Sequence, residues 1–278
     1  MKKEMEAVKT PEQESNLIQY KKNLGRREIL GGLAMGGAGI AATAFFISCG
    51  DSTIMKVAAA SPTEADVLNF ALNLEYLEAS FYLVATTGSG LSSADTGGTG
   101  TVSGGNKVTF TDSRLSDIAN EIAKDELAHV RFLRTALGSA AVSQPNINLA
   151  ALGIGFAGDN DFLNLARAFE DTGVSAYAGA ATLLTAGNLQ AAAQILAVEA
   201  YHAGNVRLEI VQKGITAAKT DSLDIPPTES AFFPVDANAL ALKRTPSQVL
   251  AIVYANAASG TTSGGFFPNG LNGNIKTV

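Results

Sequence analysis

Two stretches decide the fold: residues 122–133, IAKDELAHVRFL, and residues 197–207, AVEAYHAGNVR. They hold both histidines of the 278-residue chain, and each histidine follows a glutamate by three positions, as Glu126-Leu127-Ala128-His129 and Glu199-Ala200-Tyr201-His202. Residues three apart on a helix occupy neighbouring positions of one face, so each pair can aim a carboxylate and an imidazole into the same space. Glutamate is 14 of the 278 residues. Chance alone gives both histidines such a partner in roughly one of 400 sequences of this composition.

Working outward, each motif sits midway along a predicted helix, one from Thr111-Asp112-Ser113 to about Leu137, the other from a cap at Asn188 to about Lys213 and Gly214. A further helix starts at Ser61-Pro62-Thr63-Glu64, with Ser61 as N-cap and Pro62 in its first position, and runs to about Val84. Leu68, Leu72, Glu75, Ala79 and Tyr82 share one face of it. Another is expected from Asp159 or Asp161 to about Gly187, where Ala166, Glu170 and Tyr177 share a face. Residues 87–110 read as a Gly-, Ser- and Thr-rich surface loop, and residues 139–158, with Pro145 and no helical period, as a long crossover. The expected fold is therefore all-α: a four-helix bundle over residues 61–216, with the long crossover between its second and third helices, the order of ferritin-like bundles. Residues 217–278 are expected to form an irregular extension wrapping the bundle, with one short helix from Thr245-Pro246 to about Ala257.

The other two helices, the first and the third, each carry a central glutamate, Glu75 and Glu170. One Glu from each of two helices, plus Glu-x-x-His from each of the others, is the inward ligand set of two-metal carboxylate bundles. Glu75, Glu126, His129, Glu170, Glu199 and His202 are thus the candidate metal ligands. Four carboxylates match the charge of two divalent cations and would otherwise repel one another in the interior. Carboxylate and imidazole suit two iron ions, or alternatively two manganese ions. Glu78, one turn from Glu75, is a candidate extra ligand or a support for one. Glu170 is preferred to Asp171. Glu121 and Asp125 read as solvated, whereas Tyr82, Tyr177 and Tyr201 are read equally as donors lining the cavity or as core packing.

The composition excludes other classes. The formal net charge is −6 with no basic stripe, so nucleic acid is not an expected partner. A single cysteine rules out an internal disulfide framework and a Cys-based zinc knuckle. That cysteine instead belongs to a leader, residues 1–60. Arg26-Arg27 precede an uncharged run, Ile29–Ile47 (ILGGLAMGGAGIAATAFFI), which resembles a twin-arginine export signal. Phe46-Ile47-Ser48-Cys49 resembles a lipobox with phenylalanine in place of the usual leucine, making Cys49 a candidate lipidated residue. The run could also remain as a membrane anchor, or be cut after Ala58-Ala59-Ala60. The localisation expected is export across a bacterial cytoplasmic membrane, to the periplasm or the cell surface as a lipoprotein. Without residues 1–49 the chain has 13 basic and 21 acidic residues, a net of −8, which suits attachment by lipid and not by charge.

The segments LNLEYLEASFY (72–82), IAKDELAHVRFL and AVEAYHAGNVR resemble those of the ferritin-like superfamily, in particular the branch of plant desiccation-related proteins and their bacterial relatives. The resemblance covers about residues 62–216, and Phe266-Phe267-Pro268-Asn269-Gly270 is similar to chain ends in that branch. It implies a non-haem di-metal site at the six residues named, with metal ions and dioxygen or peroxide as partners. The export leader and long tail argue against a storage shell, while a homodimer is compatible with the reading. Three activities follow: a ferroxidase-like or manganese-catalase-like oxidoreductase, a lipid-anchored stress-protection or adhesion protein with structural metal, or a monooxygenase. The last would need an apolar pocket beside the site, of which the sequence carries no sign.

Overall fold

The computed structural model describes residues 61–278. The leader motifs at Arg26-Arg27 and Cys49 lie outside the described residues. The fold is all-α, a ferritin-like four-helix bundle of α1 (Glu64–Thr87), α2 (Ser113–Leu137), α3 (Asp159–Ala180) and α4 (Ala186–Gln212), followed by one short helix, α5 (Pro246–Val253). Helix α1 packs along α2, and α3 along α4. Among the described residues, no helix is long and apolar enough to cross a membrane.

The helix ends follow local chemistry. Helix α1 starts at Thr63, not at the expected Ser61, because Thr63 and Asp66 cap each other reciprocally: Asp66 N donates to Thr63 Oγ1 (3.2 Å) and Thr63 N to Asp66 Oδ2 (2.8 Å). It also runs past Val84 until Gly88 takes a left-handed conformation (φ 86°). Asp112 caps α2 through the amides of Arg114 and Leu115, as its sequence predicts. The turn between α3 and α4 departs from expectation. A 3-10 turn, Ala181–Leu183, ends α3 before Gly187, and Thr185 is the N-cap of α4 in place of Asn188. There the Thr185 amide donates to Glu64 Oε1 of α1 (2.5 Å), so one acidic side chain ties two helix starts together.

Helix α1 is buried nearly all round, the pattern of a central helix. By contrast α2 buries a single stripe, Leu115, Ala119, Ile122, Ala123, Glu126, His129, Val130, Leu133 and Leu137. The loop after α1 is less detached than a surface loop: Val108 is buried, and Val102–Ser103 (β1) pairs in parallel with Ile147–Asn148 (β2) of the crossover.

The extension packs on the bundle and is anchored by buried arginines. Arg207 of α4 pairs with Asp171 of α3 (2.7 Å) and donates to the carbonyls of Phe232 (2.5 Å) and Ile225 (2.9 Å). Arg167 pairs with Asp224 at 2.7 Å, and Arg244 with Asp221 at 2.7 Å. Gly179 is required where the tail crosses α3, since a Cβ there would lie 1.9 Å from the Arg244 carbonyl oxygen. Thr245 caps α5 as expected, but the helix stops at Val253 instead of Ala257 because Ala255 and Asn256 turn to positive φ. Phe266 then stacks edge-on against Phe169 of α3 (4.9 Å between centroids).

Candidate metal centre

All six residues singled out by spacing converge at the middle of the bundle. Glu75, Glu126, Glu170 and Glu199 are fully buried, and His129 and His202 nearly so. One donor atom from each of Glu75, Glu126, His129 and Glu199 lies within 4.8 Å of the others, and the same holds for Glu126, Glu170, Glu199 and His202. The two sets overlap in Glu126 and Glu199, the glutamates of the two Glu-x-x-His motifs. A buried Glu/His group of this kind could hold metal, and two overlapping sets provide two adjoining positions that share two carboxylates.

The hydrogen bonds around the ring leave its inward atoms free. Tyr177 Oη donates to Glu75 Oε1 and Tyr82 Oη to Glu170 Oε1, whereas Glu75 Oε2 and Glu170 Oε2 accept no well-aligned hydrogen bond and face the imidazoles. Glu126 Oε1, both oxygens of Glu199 and His202 Nδ1 are also buried without a good hydrogen bond. Buried polar atoms are ordinarily satisfied, and a cluster of unsatisfied ones at a single point is a donor set that a cation would satisfy. The residues therefore fit a bound metal ion.

Each imidazole faces the carboxylates through Nδ1. His129 Nδ1 is 3.3 Å from Glu75, 3.3 Å from Glu126 and 3.4 Å from Glu199. His202 Nδ1 is 2.9 Å from Glu126 and 3.5 Å from Glu170, while its Nε2 meets Asp125 Oδ2 at 3.2 Å. Asp125 is half exposed but not idle, correcting its reading as merely solvated. A carboxylate on the outer nitrogen fixes the ring orientation and leaves Nδ1 for the interior. Tyr201, by contrast, is 71 % exposed and lines no part of the carboxylate ring. Its position, one before His202, turns it outward on α4.

The electrostatics are set by burial and by the crowding of carboxylates around the two imidazoles. Burial pushes Glu199 and Glu78 well above the usual carboxylate range, reinforced by the charges of the surrounding glutamates. Burial likewise raises Glu126 to about 7. For the histidines burial works the other way, but neighbouring carboxylates override it, holding His129 far above its ordinary value and His202 at about 11. Burial and the adjoining glutamates push both Tyr82 and Tyr177 up, so they remain protonated donors.

Sequence reasoning undervalued two residues. Glu78 is buried beside the ring. Gly173 makes room for it: a Cβ there would lie 2.7 Å from Glu199 Oε2 and 3.0 Å from Glu78 Oε1. The signal for this was a glycine in mid-helix between Glu170 and Tyr177, a placement that costs helix stability unless space is needed. Asp171, next to Glu170, pairs instead with Arg207 and Arg167.

Two openings approach the centre. A cavity of about 240 Å³ reaches His202 between α2 and α4, past Glu121, Asp125 and Asn205. A second, of about 90 Å³, reaches Glu78 and Gly173 from the other side and is walled mainly by apolar side chains.

A protein-family model described as the ferritin-like domain matches residues 63–212, more than half of the chain. A search of curated proteins returns no match.

Proposed function

Starting from the fact that the chain belongs to the ferritin-like domain family, we propose that its bundle holds two iron ions, with manganese as the alternative, and oxidises them with dioxygen or peroxide. The observation that carries this reading is the overlap of the two donor sets in Glu126 and Glu199. Glu75 and His129 would complete one position, Glu170 and His202 the other. When bound, two ferrous ions supply one electron each, enough to reduce one dioxygen with two protons to hydrogen peroxide, or one hydrogen peroxide with two protons to two waters.

The chain's own contribution is charge, orientation and exclusion of water. Four carboxylates neutralise two divalent cations, and their burial makes each interaction stronger than it would be in water. Tyr177 and Tyr82 each hold one oxygen of a terminal glutamate and leave the other to face inward. Burial and the surrounding glutamates favour the protonated form of Glu78, and positive charge nearby would favour its ionised form. Asp125 keeps His202 Nδ1 turned to the centre.

The desiccation-related branch and an exported, lipid-anchored location belong to the same proposal. The first rests on the segments 72–82, 122–133 and 197–207 and on Phe266-Phe267-Pro268-Asn269-Gly270, the second on Arg26-Arg27, the Ile29–Ile47 run and Cys49. A twin-arginine route carries folded proteins, so the site could be filled before export. The test is stopped-flow oxidation of ferrous-loaded protein with dioxygen and with peroxide. Oxidation of two irons per chain, lost in the Glu126→Ala/Glu199→Ala variant, is the expected result. Oxidation no faster than that of free ferrous ion in the same buffer would overturn the proposal.

A further inference from the structure

Helix α2 carries an acidic ladder that packing does not explain. Asp117, Glu121 and Asp125 follow one another at four-residue spacing, so their carboxylates stand one above the next along one face. Like charges at this spacing repel and weaken a helix. Asp117 and Glu121 are exposed, and among the described residues neither forms an ion pair; Arg114, the basic residue one turn before Asp117, is held by Glu209 at 2.6 Å. The inner rung is different. Asp125 Oδ2 lies 3.2 Å from Nε2 of His202, whose Nδ1 is buried without a good hydrogen bond and faces Glu126 and Glu170 of the candidate metal centre.

Two rungs of the ladder border the cavity of about 240 Å³ between α2 and α4. Its α2 wall carries Glu121 and Asp125, and its α4 wall carries no charged group besides His202. His202 is only 6 % exposed, so a donor residue of the centre itself forms part of this opening. The cavity on the Glu78 side differs in both respects. None of the six donor residues lines it, and its walls carry Lys219 and Arg167 against a single carboxyl, that of Glu78. A cleft lined by one sign of charge raises the local concentration of the opposite ion and speeds its arrival by about 10-fold to 1,000-fold. Of the two openings, the one between α2 and α4 has the charge to do this for a cation.

We propose that Asp117, Glu121 and Asp125 form a guiding ladder that draws divalent cations along α2 to His202, so that the centre fills from the α2–α4 side. This rests on the reading of the centre as a metal site, which it deepens by giving Asp117 and Glu121 a part in filling that is separate from holding. Neither belongs to the donor sets. They act through charge at a distance, and so govern how fast ions arrive far more than how many stay. Exposed charges are screened beyond about 10 Å at 0.1 M salt and beyond about 3 Å at 1 M, so the guidance fades as salt rises.

The test mixes the metal-free full chain with cobalt(II) chloride, follows binding by visible absorbance in stopped flow and measures final content by elemental analysis. Asp117→Asn/Glu121→Gln should load about tenfold more slowly than wild type at low salt, reach the same final cobalt content, and match the wild-type rate in about 1 M salt. With the like-charge repulsion gone, its metal-free form should melt no lower than wild type. Glu229→Lys makes the same change in net charge at an exposed position of the extension and should load at the wild-type rate. An unaltered rate in the double variant, equal slowing by Glu229→Lys, slowing that persists in about 1 M salt, or a loss of final content would each overturn the proposal. Failure of the parent reading looks different: wild type that takes up no cobalt(II) would overturn the metal centre and the ladder together, whereas full uptake at equal rates overturns the ladder alone.

Discussion

Replacing Glu199 by glutamine separates the metal-free and metal-loaded states of the protein. Glu199 is fully buried, both of its oxygens lack a good hydrogen bond, and burial with the charge of Glu126 pushes its pKa well above the usual range. The neutral acid is therefore the favoured form in the metal-free protein, and Glu199→Gln exchanges one neutral group for another of the same shape. That should cost less than about 1 kcal/mol. In the loaded protein the same change removes an anionic donor common to both positions. If each ion binds about 100-fold less tightly, the loss is about 2.7 kcal/mol per ion and about 5 kcal/mol for the pair. At about 2–4 °C per kcal/mol for a domain of this size, the loaded protein should melt about 10–20 °C lower than loaded wild type. The metal-free forms should differ by less than about 4 °C. Anaerobic differential scanning calorimetry with and without ferrous iron measures both. Equal shifts in the two states would refute the reasoning, because they would make Glu199 a packing residue.

Other perturbations probe separate parts of the account. Burial and the crowding of carboxylates favour the protonated forms of His129, His202, Glu199 and Glu78 without metal, so loading the site should release several protons per chain. A pH-indicator dye reads the release directly, and affinity should weaken more steeply as pH falls below about 7, where Glu126 also takes a proton. Asp125→Ala should lower metal affinity by about 10–100-fold, through loss of the contact on His202 Nε2, while leaving the melting of the metal-free protein unchanged. Arg207→Ala strands Asp171 and frees the carbonyls of Ile225 and Phe232; a loss of about 3–5 kcal/mol is expected in urea unfolding, with faster proteolysis of residues 217–240.

The four bundle helices and the inward placement of the six residues were legible because a Glu and a His three apart on a helix share a face, a spacing that packing alone does not ask for. Glu-x-x-His is a local pattern, readable without knowledge of the partner helix. The misplaced ends have local causes that compete closely: Ser61 and Thr63 are both acceptable caps, and only the Thr63–Asp66 reciprocity decides between them. Asn188 lost to Thr185 for a non-local reason, the bond from Thr185 to Glu64 of another helix. Asp125 and Tyr201 show the limit of one-helix reasoning. Each borders His202 in sequence or space, but which one serves it depends on the relative rotation of α2 and α4. The apolar cavity was invisible for the same reason, since its walls come from residues as distant as Leu77, Ile154 and Phe266.

The most direct test of the central claim is metal stoichiometry under anaerobic conditions, by ferrous titration of the full chain with elemental analysis of the product. Two ions per chain in the wild type, and loss of both in Glu126→Ala/Glu199→Ala, is the predicted result. The same metal content in wild type and double variant would contradict it.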